Sequence, residues 1–111
     1  MQLTFLGKET QGGGSPTLYA TDRGSFVVQG WRVAGQPLTT VEIPESLLQH
    51  LPSNVALDVT LSRTGRRWNG DSGECDTFTV TGEGLDDGVL AQLTVPSHEA
   101  CIEVRRRWKD G

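Results

Sequence analysis

The hexapeptide Ser25-Phe26-Val27-Val28-Gln29-Gly30 returns in altered form as Thr77-Phe78-Thr79-Val80-Thr81-Gly82. A second echo follows the first, because Val41-Glu42-Ile43 reappears as Ile102-Glu103-Val104. Aromatic and β-branched side chains dominate these segments, which is typical of strands. The pattern favours a two-strand unit that occurs twice, and internal duplication is one explanation. The other explanation is chance, since Phe-x-Val-x-Gly is a common pattern in β-rich chains.

Alternation of apolar and polar residues extends outward from these segments. It is most regular over residues 55–61, where every second side chain is Val or Leu. Pro44 and Pro52 bracket a short helix of about two turns. Residues 89–95 fit a capped helical turn as well as a strand. We predict strands over residues 2–6, 17–21, 25–33, 39–43, 55–61, 75–81 and 100–104, and a loop over 11–16. Residues 62–74 are polar and punctuated by glycines.

Length and composition predict one domain over residues 1–111, with pseudo-repeat halves 1–53 and 54–111 if the echo is a duplication. The chain has 111 residues, 35% of them hydrophobic, and 14 glycines. We expect a β-rich α+β fold, mainly an antiparallel sheet or a small barrel, with one or two short helices. The predicted core consists of Leu3, Phe5, Tyr19, Phe26, Val28, Val41, Ile43, Leu47, Leu48, Val55, Leu57, Val59, Leu61, Phe78, Val80, Leu93, Ile102 and Val104.

The charge of the chain argues against a nucleic-acid partner. Its formal net charge is −4, so its overall field repels polyanions. No apolar run is long enough for a membrane span, and the amino terminus lacks the basic and apolar regions of a signal peptide. We therefore expect a cytoplasmic protein without membrane association, in which Cys75 and Cys101 are reduced.

Three groups of residues are candidates for chemistry. Gly70-Asp71-Ser72-Gly73 resembles the nucleophile motif of chymotrypsin-like serine proteases, which implies a small hydrolase using Ser72; the alternative, which we favour, is an ordinary turn. Residues 69–74 loosely follow a calcium loop but lack its terminal glutamate. Cys75, His98 and Cys101 have zinc-binding side chains without paired spacing. We expect no catalytic residue, no metal and no cofactor.

Two basic segments, residues 63–68 and 105–109, each combine arginines with a tryptophan. Such segments can clamp phosphates and stack bases, or they can be edge strands that their charge protects from self-pairing. The second interpretation suits the acidic chain better. Exposed aromatic side chains beside arginines would form a binding surface for a partner protein. The predicted partner-binding residues are Tyr19, Trp31, Trp68, Arg66 and Arg67.

The segments 41–51 and 55–61 have the strand, Ile-Pro, Leu-Leu helix and strand order of swapped-hairpin transition-state regulators and antitoxins, which they resemble. That resemblance implies a dimeric DNA-binding regulator. Glu42 and Glu45 occupy positions where that family has small or basic residues. The homodimer that this resemblance implies is kept as an alternative.

Three further motifs resemble small actinobacterial, Streptomyces-type proteins of unknown function: Leu-Tyr-Ala-Thr-Asp-Arg at 18–23, Val-Val-Gln-Gly-Trp at 27–31 and Val-Glu-Ile-Pro-x-x-Leu-Leu at 41–48. Such proteins often occur near helix-turn-helix regulators. Because the sequence contains no credible set of acid, base, nucleophile or metal ligands, we expect a non-enzymatic interaction module with a protein as its partner. The resemblance suggests that this module is an accessory to a transcriptional regulator.

Overall fold

The fold, seen in a computed structural model, is described for residues 1–9, 15–70 and 73–109. The predicted loop 11–16 lies mostly outside these residues. Within them the chain forms nine strands, a 3-10 helix over Glu45–His50 and a short helix α1 over Asp87–Leu90. The strands are β1 (Leu3–Lys8), β2 (Thr17–Thr21), β3 (Ser25–Arg32), β4 (Thr40–Pro44), β5 (Val55–Leu57), β6 (Ser62–Gly70), β7 (Gly73–Thr81), β8 (Glu83–Gly84) and β9 (Glu99–Trp108).

All the strand pairs are antiparallel, as predicted. The main path through the sheet is β1-β2-β3-β4-β7-β6, and β9 pairs with β3, β5 and β8. The sheet is open, with β1 and β6 at the two ends of this path, so the alternative of a small barrel is wrong. A barrel would require these two terminal strands to pair with each other.

Two three-stranded units within the sheet have the same pairing pattern. In the first, β3 lies between β2 and β9; in the second, β7 lies between β6 and β4. Phe26 of β3 lies opposite Val104, and its echo Phe78 of β7 lies opposite Ile43. The echoed segments thus hold equivalent positions. The halves 1–53 and 54–111 are not separate units, because each hexapeptide pairs mainly with the acidic triplet of the other half.

After a glycine, each echoed segment pairs with a strand that it did not contact before. We call these two places, at Gly30 and Gly82, the first and second crossings. Beyond Gly30, β3 reaches β4, where Trp31 lies opposite Glu42. Beyond Gly82, the chain enters β8, where Glu83 lies opposite Glu103 of β9. A Cβ atom on Gly30 would lie 2.7 Å from the Glu42 carbonyl oxygen, and one on Gly82 would lie 2.6 Å from the Glu103 carbonyl oxygen. Glycine is therefore required by close backbone approach at both crossings.

The hydrophobic core lies on one face of the sheet. Most of the predicted core residues are buried there, together with Leu18 and Ala100, which sequence analysis missed. The prediction for Phe5 is wrong: its side chain is 57% exposed and contacts the Tyr19 ring edge-on at 6.1 Å. It lies on the terminal strand β1, just before an irregularity in the pairing with β2. One side of this strand therefore has no neighbour to cover it.

One predicted boundary is also wrong. The strand expected over 55–61 ends at Leu57, although Val59 and Leu61 still pack against the core. The basic segment 63–68 lies in β6 at one end of the main path, which agrees with its interpretation as a charged edge strand. Ion pairs between Arg63 or Arg67 and Asp76 of β7 stabilise this polar strand, which carries no hydrophobic alternation.

The two helices are short, and each buries one apolar residue beside the sheet. The 3-10 helix follows Pro44 as predicted and buries Leu47. Helix α1 settles the ambiguity at 89–95 only for its first residues, since it ends at Leu90. Its N-cap is Asp86, whose Oδ1 accepts a hydrogen bond from the Val89 amide at 2.9 Å.

Candidate interaction site

A buried carboxylate marks the first crossing. Glu42 is 4% exposed at its side chain, and its Oε2 accepts a hydrogen bond from the Thr77 hydroxyl at 2.6 Å. The Arg66 guanidinium donates to both carboxylate oxygens. Thr64 supports both donors, because its hydroxyl is hydrogen-bonded to Thr77 at 2.5 Å and accepts from the Arg66 amide at 3.0 Å. The carboxylate is fully paired by charge-assisted hydrogen bonds.

The second crossing repeats this network with other residues. Glu103 accepts from the Ser25 hydroxyl at 2.5 Å and from the Arg23 guanidinium at 2.6 and 3.0 Å. Thr21 is hydrogen-bonded to Ser25 at 2.6 Å and accepts from the Arg23 amide at 3.2 Å. The hydrogen bond from Arg23 contributes most to lowering the pKa of Glu103, partial burial opposes it, and the Ser25 hydroxyl adds to it.

Two indoles cover the first network. Trp31 and Trp68, on β3 and β6, meet with ring centroids 5.9 Å apart and planes tilted by 51°. Both are half-buried. They flank a surface cleft of about 270 Å³, the tryptophan cleft, which is lined by Trp31, Glu42, Arg66, Arg67, Trp68 and Thr77. The lining of the cleft combines the Glu42–Arg66 ion pair with two aromatic rings.

The second network faces a wider space that no aromatic ring lines. This open cleft has a volume of about 860 Å³ and is lined by polar side chains and glycines, including Arg23, Glu83, Glu103, Arg105 and Arg106. Glu83 occupies the position equivalent to Trp31, since each residue follows the crossing glycine. The two crossings share an ionic network and differ in what covers it.

The structure brings together four of the five predicted partner-binding residues. Trp31, Trp68, Arg66 and Arg67 all line the tryptophan cleft. Arg67 is ion-paired with Glu74 at 2.8 Å as well as with Asp76. Tyr19 is not part of the cleft, because it lies on β2 against Phe5. The side chain of Tyr19 faces another part of the surface, since β2 pairs with β1 and β3.

The residues proposed for chemistry do not form a recognisable centre among the described positions. Asp71 and Ser72 lie outside the described residues. Cys75 and Cys101 are free thiols on β7 and β9. Across residues 1–9, 15–70 and 73–109 no three His, Cys, Asp or Glu side chains form a group that could hold a metal. His50 contacts Glu9 with 2.6 Å between Nε2 and Oε2 and so links the 3-10 helix to the end of β1.

The chain matches no protein-family model, no curated protein and no solved structure. In the part of the chain that is described, no helix has the length and apolar character needed to cross a bilayer. The likeness to actinobacterial proteins therefore remains an interpretation of the three motifs that suggested it.

Sequence analysis did not identify the threonine and the arginine of each ionic network. Thr17-Leu18-Tyr19-Ala20-Thr21-Asp22-Arg23 is echoed by Thr60-Leu61-Ser62-Arg63-Thr64-Gly65-Arg66, with Thr-Leu-x-x-Thr-x-Arg in common. This third echo contains the threonine and the arginine that serve Glu103 and Glu42. It was missed because the second copy lies in a polar stretch without hydrophobic alternation.

Proposed function

We propose that this protein is a non-enzymatic interaction module that binds a segment of a partner protein in the tryptophan cleft. The single observation that carries the proposal is the meeting of Trp31 and Trp68 over the Glu42–Arg66 pair. These indoles come from segments far apart in the chain. Half-buried aromatic side chains beside arginine are the side chains that most often dominate binding energy at protein interfaces.

The chemistry of the cleft favours a short peptide with an apolar side chain and an acidic neighbour. Indole faces pack against prolyl or aliphatic groups and bury large apolar areas. The guanidinium of Arg66 is 70% exposed even though it is paired with Glu42. Its outer edge can therefore donate to a carboxylate of the partner.

A protein partner suits this site better than DNA. Arg63, Arg66 and Arg67 of β6 are all ion-paired with carboxylates of the same chain. Their charge is compensated locally, and the whole chain is acidic. A phosphate backbone would have to compete with these internal partners. Within this proposal the partner is a cytoplasmic protein, and a transcriptional regulator is the class that the sequence resemblance suggests.

The test is a selection of peptides from a random display library on the immobilised protein. Peptides that bind the wild type should lose about 30-fold in affinity for Trp31→Ala or Trp68→Ala, which corresponds to about 2 kcal/mol. Trp108→Ala is the matched control, because this exposed indole lies outside the cleft and stacks with Arg106 at 4.3 Å. Its affinity should stay within twofold of the wild type.

Equal loss of binding in all three variants, or in none, would contradict the proposal. Unfolding curves of each variant show whether the fold is intact. Titration with a labelled DNA duplex at low salt distinguishes the competing proposal of a swapped-hairpin regulator. Binding of DNA that weakens steeply as salt rises would favour that alternative.

A further inference from the structure

A second site lies beside the start of β9 and shares no lining residue with the tryptophan cleft. The chain between β8 and β9 folds over the sheet face that carries Gln29 and Cys101 and leaves a cavity of about 430 Å³. We call it the leucine cavity; Leu38, Leu85, Leu90, Leu93, Val95 and Glu99 are among its lining residues. Its volume falls within the range of small-molecule sites, about 300–1,000 Å³.

The leucine cavity contains one buried acid. The Glu99 side chain is 0% exposed, and its Oε1 accepts a hydrogen bond from the Gln29 amide at 2.6 Å. Its Oε2 is buried and has no hydrogen-bond partner among the described residues. The His98 ring nitrogen is 3.8 Å from Oε2, beyond hydrogen-bonding distance. A buried carboxylate oxygen without a donor is costly, so a ligand that donates to it would be stabilised.

Neighbouring groups do not supply the missing donor. The Gln29 amide nitrogen has two hydrogens and also donates to the Thr94 carbonyl at 3.2 Å, so both are used. Arg32 donates to the backbone carbonyl of Glu99 at 3.0 Å. These contacts hold residue 99 in position at the start of β9 and leave Oε2 unpaired.

Apart from Glu99 and Arg32, whose guanidinium donates to the Glu99 backbone carbonyl, the lining is uncharged. Burial, and next the charge of Glu99, raise the pKa of the Cys101 thiol to about 12, so the thiol is neutral at physiological pH. Burial likewise raises the pKa of Glu99, and the hydrogen bond from Gln29 and the charge of His98 oppose this rise. Leu38 is 55% exposed beside the cavity, which places an apolar side chain where an alkyl group would enter.

We infer that the leucine cavity binds a small primary amine with an aliphatic body. The ammonium group would donate to Glu99 Oε2, and the alkyl chain would lie among the leucines. A fatty acid or another anion would place a second negative charge beside the buried carboxylate. A neutral alcohol could fill the apolar part but would form only an uncharged hydrogen bond.

The experiment compares n-hexylamine, 1-hexanol and hexanoate by titration calorimetry and amide chemical shifts at pH 7. We expect hexylamine to bind at least tenfold more tightly than hexanol, because a charge-assisted hydrogen bond forms in the cavity. Hexanoate should not bind. Octylamine should bind more tightly than hexylamine by about threefold to fourfold for each added methylene. The shifted amides should lie near Glu99 and Cys101.

Two substitutions separate the acid from the apolar lining. Glu99→Gln should weaken hexylamine binding at least tenfold and leave hexanol binding within twofold. Leu93→Ala should weaken both ligands. Equal affinities for amine and alcohol in the wild-type protein would overturn the inference without any variant. Unchanged amine affinity in a folded Glu99→Gln variant would also overturn it. Neither outcome bears on the tryptophan cleft, which shares no lining residue with this cavity.

Discussion

The two glycine crossings share one backbone arrangement and one kind of ionic network, but different residues cover them at the surface. At each, a strand moves from one partner to another, and a glutamate accepts from a hydroxyl and a guanidinium; Glu42 is buried and Glu103 is partly buried. Trp31 and Trp68 cover the first glutamate, whereas Glu83, Arg105 and Arg106 surround the second. The shared residues therefore belong to the fold, and the residues that differ include those of the proposed binding site.

This comparison shows that an ion pair in a cleft is not by itself a functional sign. Either network alone, with a glutamate, an arginine and a hydroxyl, could be mistaken for a catalytic centre. Its repetition at an equivalent position supports a structural role, because two unrelated active sites would not share one pairing pattern. What distinguishes the first crossing is its aromatic cover.

The largest expected change in the free energy of unfolding follows from replacing a glycine at a crossing. Gly30→Ala should lower the free energy of unfolding by about 3 kcal/mol, since its Cβ would clash with the Glu42 carbonyl and lie 2.8 Å from an Ile43 methyl. Gly82→Ala should cost somewhat less, because its nearest side-chain atom, in Val104, is 3.1 Å away. Chemical denaturation measures both values.

Gly84→Ala is the matched control for these two variants. Its nearest neighbour, a Thr39 methyl, would lie 3.9 Å from the added Cβ, so the change should stay within about 0.5 kcal/mol. If Gly30→Ala and Gly82→Ala were as mild as this control, the two crossings would not depend on close backbone approach.

The next effect concerns the two glutamates. Glu42→Gln should destabilise the fold by about 2 kcal/mol, because the more buried acid loses charge-assisted hydrogen bonds from Thr77 and Arg66. Glu103→Gln should cost about 1 kcal/mol, since its side chain is more exposed. Exposed Glu45→Gln serves as the control, with thermal and urea unfolding as the readouts. A reversed order would contradict the difference in burial between the crossings.

A smaller effect should appear in the pH dependence of the free energy of unfolding. The pKa of Glu103 is lowered in the folded state, chiefly by Arg23, so this pair stabilises the fold above the unfolded pKa of about 4.3. The contribution is lost as the pH falls through the lowered folded pKa. Arg23→Gln should therefore be less stable than the wild type at pH 7 and approach it in acid. Arg107→Gln, in which no ion pair of the described residues is lost, should run parallel to the wild type at every pH.

The smallest effect is local to the tryptophan cleft. The Trp68 ring lies against Gly70, where an added Cβ would be 2.0 Å from Cζ3. Gly70→Ala should turn this indole toward solvent, shift tryptophan emission to longer wavelength and change stability by less than about 1 kcal/mol. The same emission shift in Gly84→Ala would show that the signal is not specific to the cleft.

Local patterns predicted part of this fold. Phe26, Val28 and their echoes reveal strands through alternation, and the prolines mark the 3-10 helix. The crossings could not be predicted, because the partner of a strand depends on residues far away in the chain. Charge indicated an edge strand at 63–68, but its bounds and its pairing with β7 could not be read from the sequence, since ion pairs and not an apolar face hold β6 in the sheet. Trp31 and Trp68 were proposed as binding residues from their chemistry, and Tyr19 could not be separated from them without the topology.

The exchange of strands between the halves bears on how the protein is made. Strand β9 supplies the main partner of β3, which is synthesised earlier. The first half cannot complete its sheet until β9 has been synthesised, so folding is expected to be governed by long-range contacts. A nascent chain stalled before Glu99 would expose one unpaired side of β3 and would be a natural substrate for chaperones.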